Sequence, residues 1–394
     1  MKISSIFLLI PLCIMQIASE EASKKSVASA LSPRQPPPYY KPSPGIIYYH
    51  YQKDISSSKL KRIFRQINRF TCLNFHEKKD SPVEGEIGIN FEVNERENKV
   101  SLSRDLKSPT IVSLKKDVYD NNANLSFYIG LALDIIPEVK RHDREVDVTV
   151  QMNNVQEGFE QYYNVAQLDE ISYLVDTEFD FKSPMFFGSK FGSKDNKPTY
   201  DVKLYKDYEY FSNGVKILRH NDYKHIFNHY CPMTRENDCK NGGYYPPIDE
   251  FKSKCKCPEH FDGLKCQYLK KNEGGCISQE QEVTAKETKD ELRLKVGKGV
   301  CYFRISSKND KNVSITIEQL VLKNGDCETF KSNVEVLVRN DKGAAGINLC
   351  KDKSESISLP KLSKEVILVL KSYDDDTFIK FSYQAAPEEV SMSA

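Results

Sequence analysis

Phe127-Tyr128-Ile129-Gly130-Leu131-Ala132-Leu133-Asp134-Ile135-Ile136-Pro137-Glu138 is the segment from which the architecture of this chain can be worked out. Taken alone it is part of an apolar run, Leu125 to Ile136, of the kind found most often in a core helix. A run this short cannot be typed by periodicity, because buried strands and buried helices are both apolar throughout. Its flanks carry more information. A charged cluster follows at Glu138, Arg141, Asp143 and Arg144, and then Val146-Asp147-Val148-Thr149-Val150.

The run and its continuation, Arg141-His142-Asp143-Arg144-Glu145-Val146-Asp147-Val148-Thr149-Val150, resemble the active helix of the astacin zinc endopeptidases. That family reads H-E-x-x-H-x-x-G-x-x-H-E and continues into R-x-D-R-x-x-Y-V-x-I. In this register Phe127, Leu131 and Pro137 take the three zinc-ligand positions, and Tyr128 takes that of the glutamate that accepts a proton from metal-bound water. Two imidazoles at i and i+4 share a helix face and converge on one ion, and a third arrives after the chain turns. Phenylalanine, leucine and proline have no donor atom for zinc. The family's helix-ending glycine is Asp134 here, a residue that tolerates left-handed backbone better than most.

A second segment, Ser183-Pro184-Met185-Phe186-Phe187-Gly188, resembles the family's methionine turn, S-x-M-H-Y-G. Met185 is kept, and Phe187 stands where a tyrosine hydroxyl would stabilise the oxyanion. Losing only that oxygen preserves volume and discards the electrostatic role. Phe191 to Tyr200 is similar to the family's segment after the turn, and the resemblance implies that the glutamate matching Glu138 meets a mature amino terminus.

Lys2, the apolar run Ile3 to Ile17, and the small residues Ala18 and Ser19 before Glu20-Glu21 read as a secretory signal peptide over residues 1–19. The run is short for a membrane span, and nothing later reaches the roughly 18 apolar residues that a span needs. The expected location is therefore extracellular. A net charge of +1, from 57 basic and 56 acidic residues well mixed, offers no basic field for nucleic acid and no polybasic membrane patch.

At 394 residues the chain is long enough for two or three domains. Residues 20–44 contain SPRQPPPYYKPSPG, a proline-rich linker or short pro-segment, with Arg34 a weak processing candidate. The family's F-x-G-D type zymogen motif is missing from it. From Gly45 the pattern GIIYYHY alternates like a strand. Ser57 to Phe70 then has helical spacing through Leu60, Ile63, Ile67 and Phe70. Strand-like segments follow at Ile87–Val93, Val100–Leu102 and Thr110–Leu114, and a terminal helix is expected from Asp222 to Tyr230. The fold class expected from the resemblance is an α+β metzincin-like (astacin) domain at 45–231, a small disulfide-rich EGF-like module at 232–270 and an all-β CUB sandwich at 271–386. A tail at 387–394 ends the chain.

Cysteines other than Cys13 of the signal number ten, and an even count in a secreted chain argues for five disulfides of unspecified connectivity. The resemblance implies the pairs. Cys72 would join Cys231. The pattern Cys239-Lys240-Asn241-Gly242-Gly243 with Cys255-Lys256-Cys257-Pro258 and Cys266 is similar to an EGF-like module, implying Cys239–Cys255 and Cys257–Cys266. Short alternating strands with cysteines at 276, 301, 327 and 350 resemble a CUB domain, implying Cys276–Cys301 and Cys327–Cys350. Glu328-Thr329-Phe330 after Cys327 departs from the C-x-x-D-like calcium setting of many such domains. Sequons at Asn124-Leu125-Ser126 and Asn312-Val313-Ser314 are expected glycosylation sites.

These features are read first as a secreted pseudoprotease, a homologue without zinc ligands or general base that acts as decoy, by sequestration, or by regulating active relatives. No cofactor is expected, although the family carries zinc, and the partners are extracellular proteins or peptides. One alternative is an active enzyme with a metal site rebuilt from His225 and His229, helped by His220; the simpler reading makes these solvated histidines on a terminal helix. The other is an adhesion protein working through its EGF-like and CUB parts.

Overall fold

Alternating apolar residues make strand β1 (Ile47–Tyr51), which turns Ile47 and Tyr49 inward. The computed structural model describes residues 37–205, 217–233, 235–247, 249–276, 280–308, 311–323, 325, 327, 332–373 and 377–386. Outside them lie the signal-peptide reading, the pro-segment before residue 37 with Arg34, Glu328-Thr329-Phe330 and the tail. Helix α1 (Ser57–Phe70) buries Leu60, Ile63, Phe64 and Ile67, the spacing of one helical face. That face lies on the sheet, with the Phe64 ring 4.3 Å from Tyr49 and 4.7 Å from Phe75.

Strands β2 (Phe75–Glu77), β3 (Gly88–Val93), β4 (Lys99–Ser101) and β5 (Thr110–Leu114) complete a sheet in the order β2-β1-β3-β5-β4. Its neighbours run parallel except β4, which is antiparallel to β5 and forms an edge of the sheet. Helix α2 (Lys116–Asp120) leads into helix α3 (Asn122–Ala132), buried at every position from Leu125 to Gly130 and again at Ala132. A helix apolar all round belongs in an interior. The Asn121 side chain starts it, accepting from the N–H groups of Ala123 at 2.9 Å and Asn124 at 3.1 Å. Asp134, at φ 54°, stops it. Ile135 N–H then donates to Gly130 O and Asp134 N–H to Leu131 O, both at 3.0 Å, which satisfies the last carbonyls of the helix.

Strands β6 (Val148–Val150) and β7 (Tyr200–Val202) pair with each other, and helix α4 (His220–Tyr230) closes this half of the molecule. The Cys72–Cys231 disulfide joins the end of α4 to the end of α1. Next comes a small region around Cys239–Cys255 and Cys257–Cys266, with a hairpin of β8 (Phe261–Asp262) and β9 (Tyr268–Leu269).

The carboxy-terminal region is all β and is built on β10 (Glu273–Cys276), β11 (Glu282–Ala285), β12 (Asp290–Ser307), β13 (Asn312–Val321), β14 (Asn333–Leu337), β15 (Ile347–Leu349), β16 (Ile357–Ser358), β17 (Glu365–Ser372) and β18 (Thr377–Ala386). It contains the disulfides Cys276–Cys301 and Cys327–Cys350. Where the sequence suggests a short strand at Cys301–Ile305, β12 runs for 18 residues. Its first part pairs with β18 and its second with β17, so one strand changes its hydrogen-bonding partner part-way along its length. Phe303 and Phe381 meet across the fold at 5.9 Å. The crossing point needs glycine, since a Cβ on Gly299 would lie 2.1 Å from Glu273 O.

The β region is clamped to the amino-terminal half by buried charge. The Arg339 guanidinium hydrogen-bonds the Asp147 carboxylate, with both side chains no more than 6% exposed. Glu178 N–H donates to Asp341 Oδ2 at 3.0 Å and Asp341 N–H returns to Glu178 Oε1 at 3.2 Å. Lys182 Nζ donates to Glu335 Oε1 at 2.6 Å, and Ala345 N–H to Asp180 Oδ1 at 3.1 Å. Removing one partner of such a pair strands the other charge in the interior, at about 3–5 kcal/mol. Arg339→Ala is therefore expected to lower the unfolding free energy by about 3–5 kcal/mol in a urea titration, and adding Asp147→Asn to recover part of that loss.

Candidate functional site

Helix α3 and the methionine turn meet at one contact that shapes the site. A Cβ placed on Gly130 would lie 2.3 Å from Met185 Sδ, so the sulfur sits directly on the helix backbone. Ser183 Oγ accepts from Met185 N–H at 2.9 Å and donates to Asp222 Oδ1 at 2.5 Å, while Met185 O accepts from Glu138 N–H at 3.0 Å. The turn is thus held from α4 on one side and from the exit of α3 on the other.

Above it, aromatic rings fill the centre. Phe127 is 4% exposed, with its ring 5.8 Å from Phe187, 5.4 Å from Phe191 and 6.4 Å from Tyr162. Phe187 stacks on Phe191 at 4.5 Å, and Phe159 and Tyr162 pack edge-on around Phe191 at 5.5 and 5.2 Å. Edge-to-face pairs at these separations stabilise beyond the area they bury. Tyr200 Oη donates to Phe187 O at 2.6 Å, and Tyr163 Oη to Thr199 Oγ1 at 2.9 Å, pinning the backbone that carries the rings. Phe159, Tyr162 and Phe191 belong to this cluster although the sequence reading gave them no part in it. The dense aromatic spelling of Phe159-Glu160-Gln161-Tyr162-Tyr163 was the available signal.

Tyr128, beside Phe127 at 5.1 Å, is buried, and that burial holds its phenol well above the usual range. Leu131 is half-buried, and Pro137 is buried where the chain enters the turn Glu138–Lys140. None of the side chains of Phe127, Leu131 or Pro137 presents a donor, so the residues that the sequence resemblance sets at the zinc positions do not fit zinc. Among the described residues no group of three or more histidine, cysteine or acidic side chains is arranged to hold a metal ion.

The three histidines considered for a rebuilt site are not solvated, which corrects the simpler sequence reading. His225 is buried, its Nε2 2.8 Å from Thr177 Oγ1, and desolvation pushes it well below its usual pKa. His220 is buried against Gly242 O at 2.9 Å and lowered to about 3 by desolvation. His229 packs between the rings of Tyr173 at 4.5 Å and Tyr230 at 4.6 Å. Each is tied to a different neighbour and works as a core residue.

Below the turn lies a bed of buried carboxyls, Glu138, Asp180 and Asp222. Burial raises Glu138 from 4.5 to about 8 against the opposing pull of Arg141, and raises Asp222 to about 7, with Asp180 adding repulsion at both. Arg141 is itself 3.8 Å from Glu138 and is held by Asp143 at 2.8 Å and Thr177 O at 2.7 Å. Where the resemblance implies a mature amino terminus for Glu138, the described contacts of its carboxylate are Arg141 and the N–H of Asp180 at 3.3 Å.

Beside the ring cluster opens a groove of ≈ 390 Å³. Asn98, Asn121, Asn124, Tyr128, Phe187 and Phe191 are among its walls. Asn98 immediately precedes edge strand β4, so one wall of the groove reaches the start of that strand. Asn124 is exposed on the rim; Asn312 opens β13 and donates through Nδ2 to Lys361 O at 3.0 Å.

Residues 38–231 match the family model for astacin, a peptidase family. The zinc metalloproteinase nas-31 of Caenorhabditis elegans is 22% identical over 281 residues, which cover 68% of this chain and 44% of that protein. Nas-34 of the same organism is 29% identical over 161 residues, covering 38% and 24%. Nas-36 of Brugia malayi is 23% identical over 271 residues, covering 65% and 45%. The chain therefore spans less than half the length of these curated relatives. Among solved structures, high choriolytic enzyme 1, a hatching enzyme zinc-protease of the medaka Oryzias latipes, aligns at 16% identity and TM-score 0.39, covering 51% of this chain and 96% of that one. Myroilysin aligns at 14% identity and TM-score 0.30, covering 50% and 97%.

Two outcomes follow from the packing and the carboxyl bed. Phe127→Ala is expected to cost about 3–5 kcal/mol of stability, as removal of a fully packed ring does. A carboxyl raised in the folded state holds its proton where the unfolded chain has lost it, so its contribution fades as pH rises from 4.5 through about 8. Glu138→Gln should accordingly gain stability relative to the natural chain between pH 5 and 8, measured by urea midpoints at each pH.

Proposed function

Residues 38–231 are an astacin-family domain, and from that premise we propose that this protein is a pseudoprotease, secreted and acting by binding rather than by cutting. One observation carries the reading: the four positions that would hold zinc and the general base present Phe127, Leu131, Pro137 and Tyr128, and Phe127 is locked among rings. Hydrolysis then lacks a Lewis acid, a base placed to activate water, and the Phe187-position hydroxyl for the oxyanion.

What remains is a recognition surface. The outer edge of β4 offers backbone donors and acceptors to an extended peptide, and the adjoining trough of Tyr128, Phe187 and Phe191 offers a seat for an apolar side chain. An extracellular peptide or unfolded protein segment with an aromatic or large aliphatic residue is the ligand class this supports. The carboxy-terminal regions are proposed to be EGF-like and CUB modules on the strength of cysteine pairing and strand pattern. The clamp through Arg339, Asp341 and Ala345 argues that they act as one body with the groove, so deletion of residues 232–394 would expose Asp147 and Asp180 rather than isolate a binding module.

The test uses the full secreted chain. Casein and gelatin should remain intact over hours at micromolar protein, and an array of extended peptides should yield binders enriched in one apolar residue. Phe191→Ala should weaken those binders at least tenfold, the scale of a buried aromatic anchor. Phenanthroline-sensitive cleavage would refute the proposal, as would binders indifferent to Phe191.

A further inference from the structure

Ser126 lies in the middle of α3 with its hydroxyl wholly buried and, among the described residues, without a hydrogen-bond partner. Such a group is costly inside a protein, and alanine in its place would be a better helix former. No contact of its hydroxyl among the described residues accounts for a serine here. The reason available is chemical: Ser126 is the third residue of the sequon Asn124-Leu125-Ser126, which a glycosylating enzyme requires before the helix has formed. Asn124, two positions earlier, is exposed and stands on the wall of the groove.

We propose that Asn124 carries an N-linked glycan and that this glycan lies over the aromatic groove, regulating access to it. The amide nitrogen of Asn124 bonds to C1 of an oligosaccharide held on a lipid pyrophosphate donor. The C1–oxygen bond breaks, the lipid pyrophosphate leaves with the electron pair, and the amide gives up one proton. The groove suits the attached sugar. Tyr128 and Phe191 give it aromatic wall against which the C–H side of a pyranose can pack, and the side-chain N–H groups of Asn98 and Asn121, whose oxygens already accept from the backbone, can donate to its hydroxyls. The one charged side chain among the walls is the exposed Lys190, and a neutral glycan is not opposed by it. The regulatory half of the inference rests on the groove being the peptide-binding surface proposed above.

The experiment compares the natural chain with Ser126→Ala, which destroys the sequon without touching a groove residue, and with Ser126→Thr, which keeps it; all three are secreted from insect cells. Peptide mass spectrometry before and after treatment with peptide-N-glycosidase should find glycan on Asn124 in the natural chain and in Ser126→Thr, and none in Ser126→Ala. Thermal unfolding of Ser126→Ala should be unchanged or higher. Hydrogen exchange of residues 184–191 should be at least threefold slower in the glycosylated forms, and apolar peptides should bind Ser126→Ala at least threefold more tightly. An unmodified Asn124 in the secreted natural chain overturns the proposal, as does a markedly lower melting temperature for Ser126→Ala. Glycan present with identical exchange overturns the covering. If exchange differs but no form binds peptide, the glycan proposal stands and the peptide-binding reading fails.

Discussion

A helix segment buried on all sides must be packed on all sides, and α3 from Leu125 to Gly130 is such a segment. On the face where its family carries a metal, the space is taken by Phe127, Phe187, Phe191 and Tyr162. A zinc ion with three imidazoles is both a ligand set and a piece of interior packing, linking the helix to the chain beyond it. Exchanging imidazoles for apolar side chains keeps the packing and removes the charge. The Met185 contact on Gly130 and the Asp134 helix stop then keep their geometry, because neither depends on metal.

The same logic extends below the methionine turn. Glu138, Asp180 and Asp222 are buried together and raised in pKa by that burial. They persist because each accepts bonds from the frame: Glu138 from Asp180 N–H, Asp180 from Ala345 N–H, Asp222 from Ser183. One of those donors comes from the β region, and so does the Arg339 that satisfies Asp147. The carboxy-terminal sheet is therefore part of what keeps the amino-terminal half folded, and the groove and the β region share one rigid support.

Much of the amino-terminal half was legible in the sequence. The spacing of Leu60, Ile63 and Ile67 and the alternation of Thr110–Leu114 record which face is buried, and α1 and β5 occupy the expected residues. Placing Phe127, Leu131 and Pro137 at the ligand positions rests on the register set by the flank Arg141–Val150, which is a reading of the sequence. The length of β12 was hidden because Gly297 and Gly299 look like a strand end, when they mark the place where one strand changes partners. Arg339, Lys182 and Glu335 look like surface charge until the fold brings them together. His220 and His225 were equally opaque: nothing local distinguishes a buried histidine on a closing helix from a solvated one.

The central claim is that this interior cannot capture a divalent ion, and elemental analysis of the purified full-length chain tests it most directly. After dialysis against a weak chelator the account predicts far less than about 0.1 equivalent of zinc per chain, taking as the standard the strong binding of intact three-ligand sites. One tightly held equivalent, retained through dialysis and lost on unfolding, would contradict it.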